Sequence, residues 1–127
     1  MAAIVSKEQM NELPYIIAVD FDGTLVEDKF PAIGEPINST WELVIMAQKH
    51  GAKIILWTSR NDQNLDEAVQ FCNERGLFFD AINDNLEECK KLFNSDTRKI
   101  HANEYWDDKA VSRFCRVHPF LEEPLEP

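Results

Sequence analysis

Two carboxylates one residue apart, Asp20 and Asp22, follow directly on the apolar run Ile16, Ile17, Ala18 and Val19, with Gly23 and Thr24 behind them. An apolar run of that length, closed by turn residues, reads as a strand buried on both faces of a parallel sheet. Acidic groups just past such a strand lie in the crevice where open α/β sheets bind ligands. Two carboxylates in so small a space repel each other unless a cation joins them. Mg2+ suits the position, because it takes oxygen ligands and keeps sites for water and phosphate oxygens. Gly23 frees the backbone to turn sharply off the strand. Register excludes a calcium loop of the EF-hand type: with Gly23 as its central glycine, its first and last ligand positions fall on Ala18 and Lys29. A plain acidic turn is the alternative that this segment alone leaves open.

Three further positions carry chemistry. Thr58, Ser59 and Arg60 follow a second apolar run. A hydroxyl and backbone amides at a strand's carboxyl end, opening toward a helix N-terminus, form a phosphate-binding corner, although Ser and Thr also serve in simple turns. Asp107 and Asp108 repeat the logic of the first pair after a later strand, with a solvated turn or helix cap as the alternative. Lys99 stands just ahead of that strand and can pair a carboxylate and a phosphate. Lys90, Lys91, Arg98 and Lys109 compete with it.

The elements that must position these groups alternate along the chain. Strands are expected at residues 15–19, 53–57, 77–82, 100–106 and 111–117. Helices are expected at 40–50, opened by a capping box of Ser39 and Glu42 and stopped by Gly51, at about 61–75, and at 85–93. Leu65, Ala68, Val69 and Cys72 fall on one face at helical period. Ser6 and Gln9 have capping-box spacing in an arm at 1–13. Pro31, Gly34 and Pro36 forbid a regular helix and predict a flap or loose hairpin across residues 25–37. Residues 119–127 read as an acidic tail. Alternation of this kind belongs to a parallel sheet covered on both faces.

At 127 residues the chain is expected to form one domain, with its core at about 15–117. The net charge of −10 argues against long nucleic acid as a partner, yet a metal ion and a few cations can reverse the sign inside one pocket. The apolar runs are too short for a membrane span, and the N-terminus lacks the pattern of a secretory signal. Cys72, Cys89 and Cys115 share no metal-like spacing and read as free thiols in the cytoplasm.

The order strand, Asp-x-Asp, strand, Thr-Ser, lysine, strand, Asp-Asp resembles the four signature motifs of the haloacid dehalogenase superfamily of phosphohydrolases over residues 15–112. The first motif, DFDGT at residues 20–24, carries most of the resemblance. It implies a three-layer α/β/α Rossmann-like domain with a mainly parallel sheet. It also implies a phosphatase in which Asp20 is the nucleophile, forming an aspartyl-phosphate, and Asp22 is the general acid and base. Mg2+ is implied on the carboxylates of Asp20 and Asp107 and the backbone carbonyl of Asp22, with Asp108 acting near it. Thr58 is implied to hold a phosphoryl oxygen and Lys99 to offset charge; Gly23, Ser59 and Arg60 complete the expected phosphate-binding set. An acid at Asp22 separates hydrolases from the superfamily's pumps, which carry threonine there.

The segments on either side of Thr58 are consumed by a flap, helices and a strand, so the resemblance is to the capless subgroup. Its expected substrates are small phosphorylated molecules or phosphoproteins, and its open site favours a homodimer. Two other readings compete. A phospho-accepting receiver domain has similar residue types, but its hydroxyl motif belongs after a phospho-acceptor Asp at a middle strand, whereas here Thr58 precedes Asp84. A catalytically idle binding module on the same fold leaves the full set of catalytic residue types unexplained.

Overall fold

A computed structural model describes residues 5–108. The fifth strand expected at 111–117, the tail at 119–127, Lys109, Cys115 and the first four residues of the arm lie outside the described residues.

The arm forms a short helix, α1 (Lys7–Asn11), and the capping box that opens it is present: the Ser6 N–H donates to Gln9 Oε1 at 2.9 Å, and the Gln9 N–H donates to Ser6 Oγ at 3.1 Å. Strand β1 (Ile16–Val19) is buried throughout. It is followed by α2 (Asn38–Lys49), β2 (Lys53–Leu56), α3 (Asp62–Glu74), β3 (Ala81–Ile82), α4 (Glu87–Phe93) and β4 (Glu104–Trp106). The four strands form one sheet in the order β3-β2-β1-β4, and every pair is parallel. The chain steps outward from β1 through β2 to β3, then returns to the far side of β1 as β4. The strand order therefore reverses beside β1, and the crevice at such a point is where sheets of this class bind ligands.

Side-chain alternation along the strands builds two cores. Ile17, Val19, Ile54 and Leu56 pack with Trp41 and Val44 of α2 and with Ala68 and Cys72 of α3. Ile16, Ala18 and Ile55 pack on the opposite face with Leu86, Cys89 and Ile100. Helices thus cover both faces, which is why β1 and β2 read as unbroken apolar runs. Cys72 and Cys89 are free, buried thiols, and burial pushes the Cys72 thiol up to about 12. Among the described residues, no helix is long and apolar enough to cross a membrane.

Four expected boundaries move by two residues or more; one is the start of α4, at Glu87 rather than residue 85. The third strand shrinks from 77–82 to two residues because the Leu77 N–H donates to Cys72 O, closing the end of α3, while the Leu77 side chain fills the first core. The fourth begins at Glu104 rather than residue 100; Ile100 anchors the second core before the strand starts. The capping box of Ser39 and Glu42 does not open α2. That helix starts at Asn38, with Ile37 at its cap, a side chain that offers no acceptor, so no side-chain cap bond forms; the Ile37 N–H donates to Leu25 O at 2.8 Å.

The proline-rich segment is a loose hairpin. Val26 and Pro36 form an antiparallel bridge, and the Glu27 N–H donates to Glu35 O at 2.8 Å. Gly34 lies so close to this turn that a Cβ there would be driven into the backbone carbonyl of Glu27. Gly34→Ala is therefore expected to lower stability by roughly 1–3 kcal/mol, as overpacking against a fixed neighbour does. Equilibrium denaturation measures it, and an unchanged midpoint would show that the flap is free to shift.

Candidate functional site

Asp20 follows β1 and remains stitched to the sheet, its N–H donating to Trp106 O at 2.9 Å. Its Oδ1 accepts the Phe21 N–H at 2.8 Å, which fixes the direction of the carboxylate. Because β4 runs parallel to β1 in register, with Val19 opposite Trp106, the residues just past both strands meet. One carboxylate oxygen each from Asp20, Asp107 and Asp108 lies within 4.8 Å of the others. Asp20 is half-buried, and its carboxyl is raised from 3.8 to about 6. Burial is the largest cause, opposed by the Phe21 N–H and reinforced by the negative charges of Asp107, Asp108 and Asp22.

A cleft of about 280 Å³ opens over these groups, lined by Asp20, Asp107, Trp57, Thr58 and Ser59. The Thr58 N–H is not free for a ligand; it donates to Asn83 Oδ1 at 2.8 Å. The Thr58 hydroxyl accepts the Arg60 N–H at 3.1 Å and keeps its own proton to donate. Asn83 is not legible from sequence as a site residue. Its only local signal is an asparagine at a strand end, and it adopts a φ of 51°, a conformation Asn tolerates better than most side chains. Gly23 turns with φ 85°, its N–H donating to Val26 O at 2.7 Å, and a Cβ there would collide with the Asp108 carboxylate. The bare backbone at Gly23 is what admits Asp108 to the cluster.

Arg60 does not stand at the phosphate corner. It is 2% exposed, and its guanidinium points beneath the flap. Nε and one terminal nitrogen grip both oxygens of Asp22, each at 2.8 Å. The same terminal nitrogen donates to Ala32 O at 3.0 Å, and the other donates to Pro31 O and Asn64 O at 3.2 and 3.4 Å. All five guanidinium donors are thereby used. The rings of Phe21 and Phe30 each lie 5.0 Å from its central carbon. The hydrogen bonds to Asp22 raise the Arg60 pKa, outweighing desolvation. A fully engaged guanidinium has no donor left for phosphate, so the expected binding role of Arg60 is corrected to one of internal support.

The Asp22 carboxylate is correspondingly absent from the carboxylate cluster and from the lining of the cleft. Lys99 also stays outside: its ammonium lies 5.7 Å from the centre of the Tyr105 ring, on an exposed side chain. Lys90 is engaged by Asp84 at 2.8 Å, Glu87 at 3.4 Å and Asp96 at 3.9 Å. The structure therefore brings together Asp20, Asp107, Asp108, Thr58 and Ser59, with Gly23 supporting Asp108, and leaves Asp22, Arg60 and Lys99 outside the cleft.

No family model matches the sequence, and no curated protein matches it. A solved structure of a conserved protein coded by a locus of Bacteroides thetaiotaomicron is similar to it at 42% identity and a TM-score of 0.67, over 76% of this chain and 77% of that one. With that identity across most of both chains, the protein belongs to the same family as this conserved Bacteroides protein.

Proposed function

We propose that the protein is a Mg2+-dependent phosphohydrolase of haloacid dehalogenase type without a cap domain, acting through an aspartyl-phosphate on Asp20. The observation that carries the proposal is the convergence of Asp20, Asp107 and Asp108 within 4.8 Å at the point where the sheet's strand order reverses. The donor set fits a hard divalent ion, since each residue offers a carboxylate oxygen, and burial together with the neighbouring negative charges raises Asp20. Asp20, Asp107 and Asp108 would hold Mg2+, which when bound supplies charge neutralisation for an incoming phosphate.

The roles of the chain's own residues follow. Asp20 Oδ attacks phosphorus, its direction set by the Phe21 N–H. Thr58 donates its hydroxyl proton to a phosphoryl oxygen, and Ser59 lines the same side. Asp22 moves protons when released from Arg60, and Lys99 offsets charge only by leaving the Tyr105 ring. The proposed substrates are small phosphorylated molecules or phosphoprotein surfaces, in the cytoplasm, with a homodimer covering the open cleft.

Hydrolysis of 4-nitrophenyl phosphate by the purified chain tests this reading. Turnover is expected with Mg2+ and is expected to vanish on chelation and return when the ion is restored. Activity that survives thorough metal removal would overturn it. The position of Asp22 favours a second reading, a phosphate-binding module that does not turn over; phosphate binding with Mg2+ but no hydrolysis of any phosphate ester would select it.

A further inference from the structure

Arg60 is the buried cation among the described residues, and it joins two parts of the molecule whose coupling the proposed reaction does not require. One side of its fork holds Asp22, and the other holds the flap at Pro31 O and Ala32 O. A general acid must come within about 2.6–3.2 Å of the oxygen it protonates. The Asp22 carboxylate faces a fully buried guanidinium, with only 16% of its own side chain exposed, and it does not line the cleft. Bringing it to a leaving oxygen requires parting from Arg60, whose fork also holds the flap carbonyls. Among the described residues the Asp20 carboxylate is held by the adjacent Phe21 N–H and not by a guanidinium.

We propose that Arg60 is a positioning residue that holds Asp22 out of the cleft, so that the site favours phosphoryl groups whose leaving oxygen departs without a proton over those that need Asp22 released to protonate it. Acyl phosphates, phosphoanhydrides and aryl phosphates form that class; alkyl phosphates lie outside it. The inference rests on the phosphohydrolase reading above. In the first step an Asp20 oxygen forms a bond to phosphorus as the bond to the leaving oxygen breaks, and that oxygen leaves with the electron pair as a stable anion. In the second step water attacks the same phosphorus and the bond to Asp20 breaks, returning the pair to the carboxylate. The proton lost by the water passes to the released phosphate or to solvent.

The test compares kcat/KM for aryl phosphates of decreasing phenol acidity and for glycerol phosphate, with Mg2+, in wild type, Arg60→Lys and Phe30→Ala. Wild type is expected to favour 4-nitrophenyl phosphate over glycerol phosphate by on the order of 10³-fold, since general acid catalysis is typically worth 10²–10⁴-fold. A lysine ammonium cannot replace five donors in a planar fork, so Arg60→Lys is expected to narrow that preference by about 10-fold or more, chiefly through a higher kcat on glycerol phosphate. Phe30 is 55% exposed, so Phe30→Ala spares the fold while removing one ring from the guanidinium, and it is expected to shift the preference the same way by less. Wild-type rates that vary by less than about 10-fold across the series would overturn the inference and leave the phosphohydrolase reading standing. A preference unchanged in both variants would also overturn it, by showing that Arg60 only supports the fold. Failure to hydrolyse any aryl phosphate would remove both.

Discussion

Replacing Asp20 with asparagine is expected to abolish turnover while making the metal-free protein more stable at neutral pH. The two effects come from one carboxylate. As nucleophile it has no substitute, because the amide of Asn cannot form the acyl phosphate. As a half-buried charge beside Asp107, Asp108 and Asp22, it is raised to about 6 in the folded chain from 3.8. A carboxyl whose folded value is raised favours the native state while protonated. Its contribution is fully present below about 3.8 and is lost as pH rises through about 6. The amide in Asp20→Asn does not titrate, so the two proteins should match in stability near pH 4 and separate above it. After allowance for solvent screening of a partly exposed group, the gap at pH 7 is on the order of 1–2 kcal/mol, or a few degrees in Tm.

Mg2+ is expected to reverse the order, raising the Tm of wild type and hardly moving that of Asp20→Asn. Thermal unfolding of both proteins from pH 4 to 8, with chelator and then with Mg2+, reads all of this without any substrate. A metal-free variant less stable than wild type at pH 7 would show that Asp20 is paired by a cation in the native protein. Mass spectrometry of wild type after reaction should place the phosphoryl group on Asp20, and label on Asp84 or Asp107 would overturn the assignment.

The parts of this site legible in the sequence are those carried by consecutive residues. The buried strands β1 and β2 end at, or one residue before, the end of their apolar runs, so the positions of Asp20 and Thr58 follow from pattern alone. That Asp107 and Asp108 meet Asp20 follows once β4 is placed beside β1, and the two acidic pairs at strand ends already point to it. The third and fourth strands are shorter than their apolar runs suggest, because Leu77 and Ile100 are apolar for the sake of the cores, not of the ladder.

What the sequence hides are pairings across distance. Nothing in Thr-Ser-Arg says which way the arginine turns; the answer lies with Asp22, thirty-eight residues earlier, and with two flap carbonyls. Asn83 is hidden in the same way, since its bond to Thr58 spans the gap from β3 to β2. Lys99 is an ordinary charge until Tyr105 offers it a ring.

The Asp22–Arg60 pair should behave as a single unit. Arg60→Met keeps much of the volume of the side chain but strands the Asp22 carboxylate without its partner, and removing one member of a buried pair typically costs about 3–5 kcal/mol. The loss is compounded here by the carbonyls of Pro31, Ala32 and Asn64, which surrender their donors together. Asp22→Asn is milder, at about 1–3 kcal/mol, because an amide oxygen still accepts from the fork. The double variant removes charge on both sides, so its loss should fall short of the sum of the two by about 2 kcal/mol or more, the scale expected of groups in direct contact. Urea denaturation of the four proteins closes this cycle. Since a domain of this size is stable by only about 5–15 kcal/mol, the Arg60→Met effect is large enough to be seen in the midpoint without extrapolation. Strictly additive losses would mean that the two side chains support the fold separately and that Asp22 is free to leave Arg60. In that case the flap and the proton-bearing group would move independently, and the site would have an acid in reach from the start.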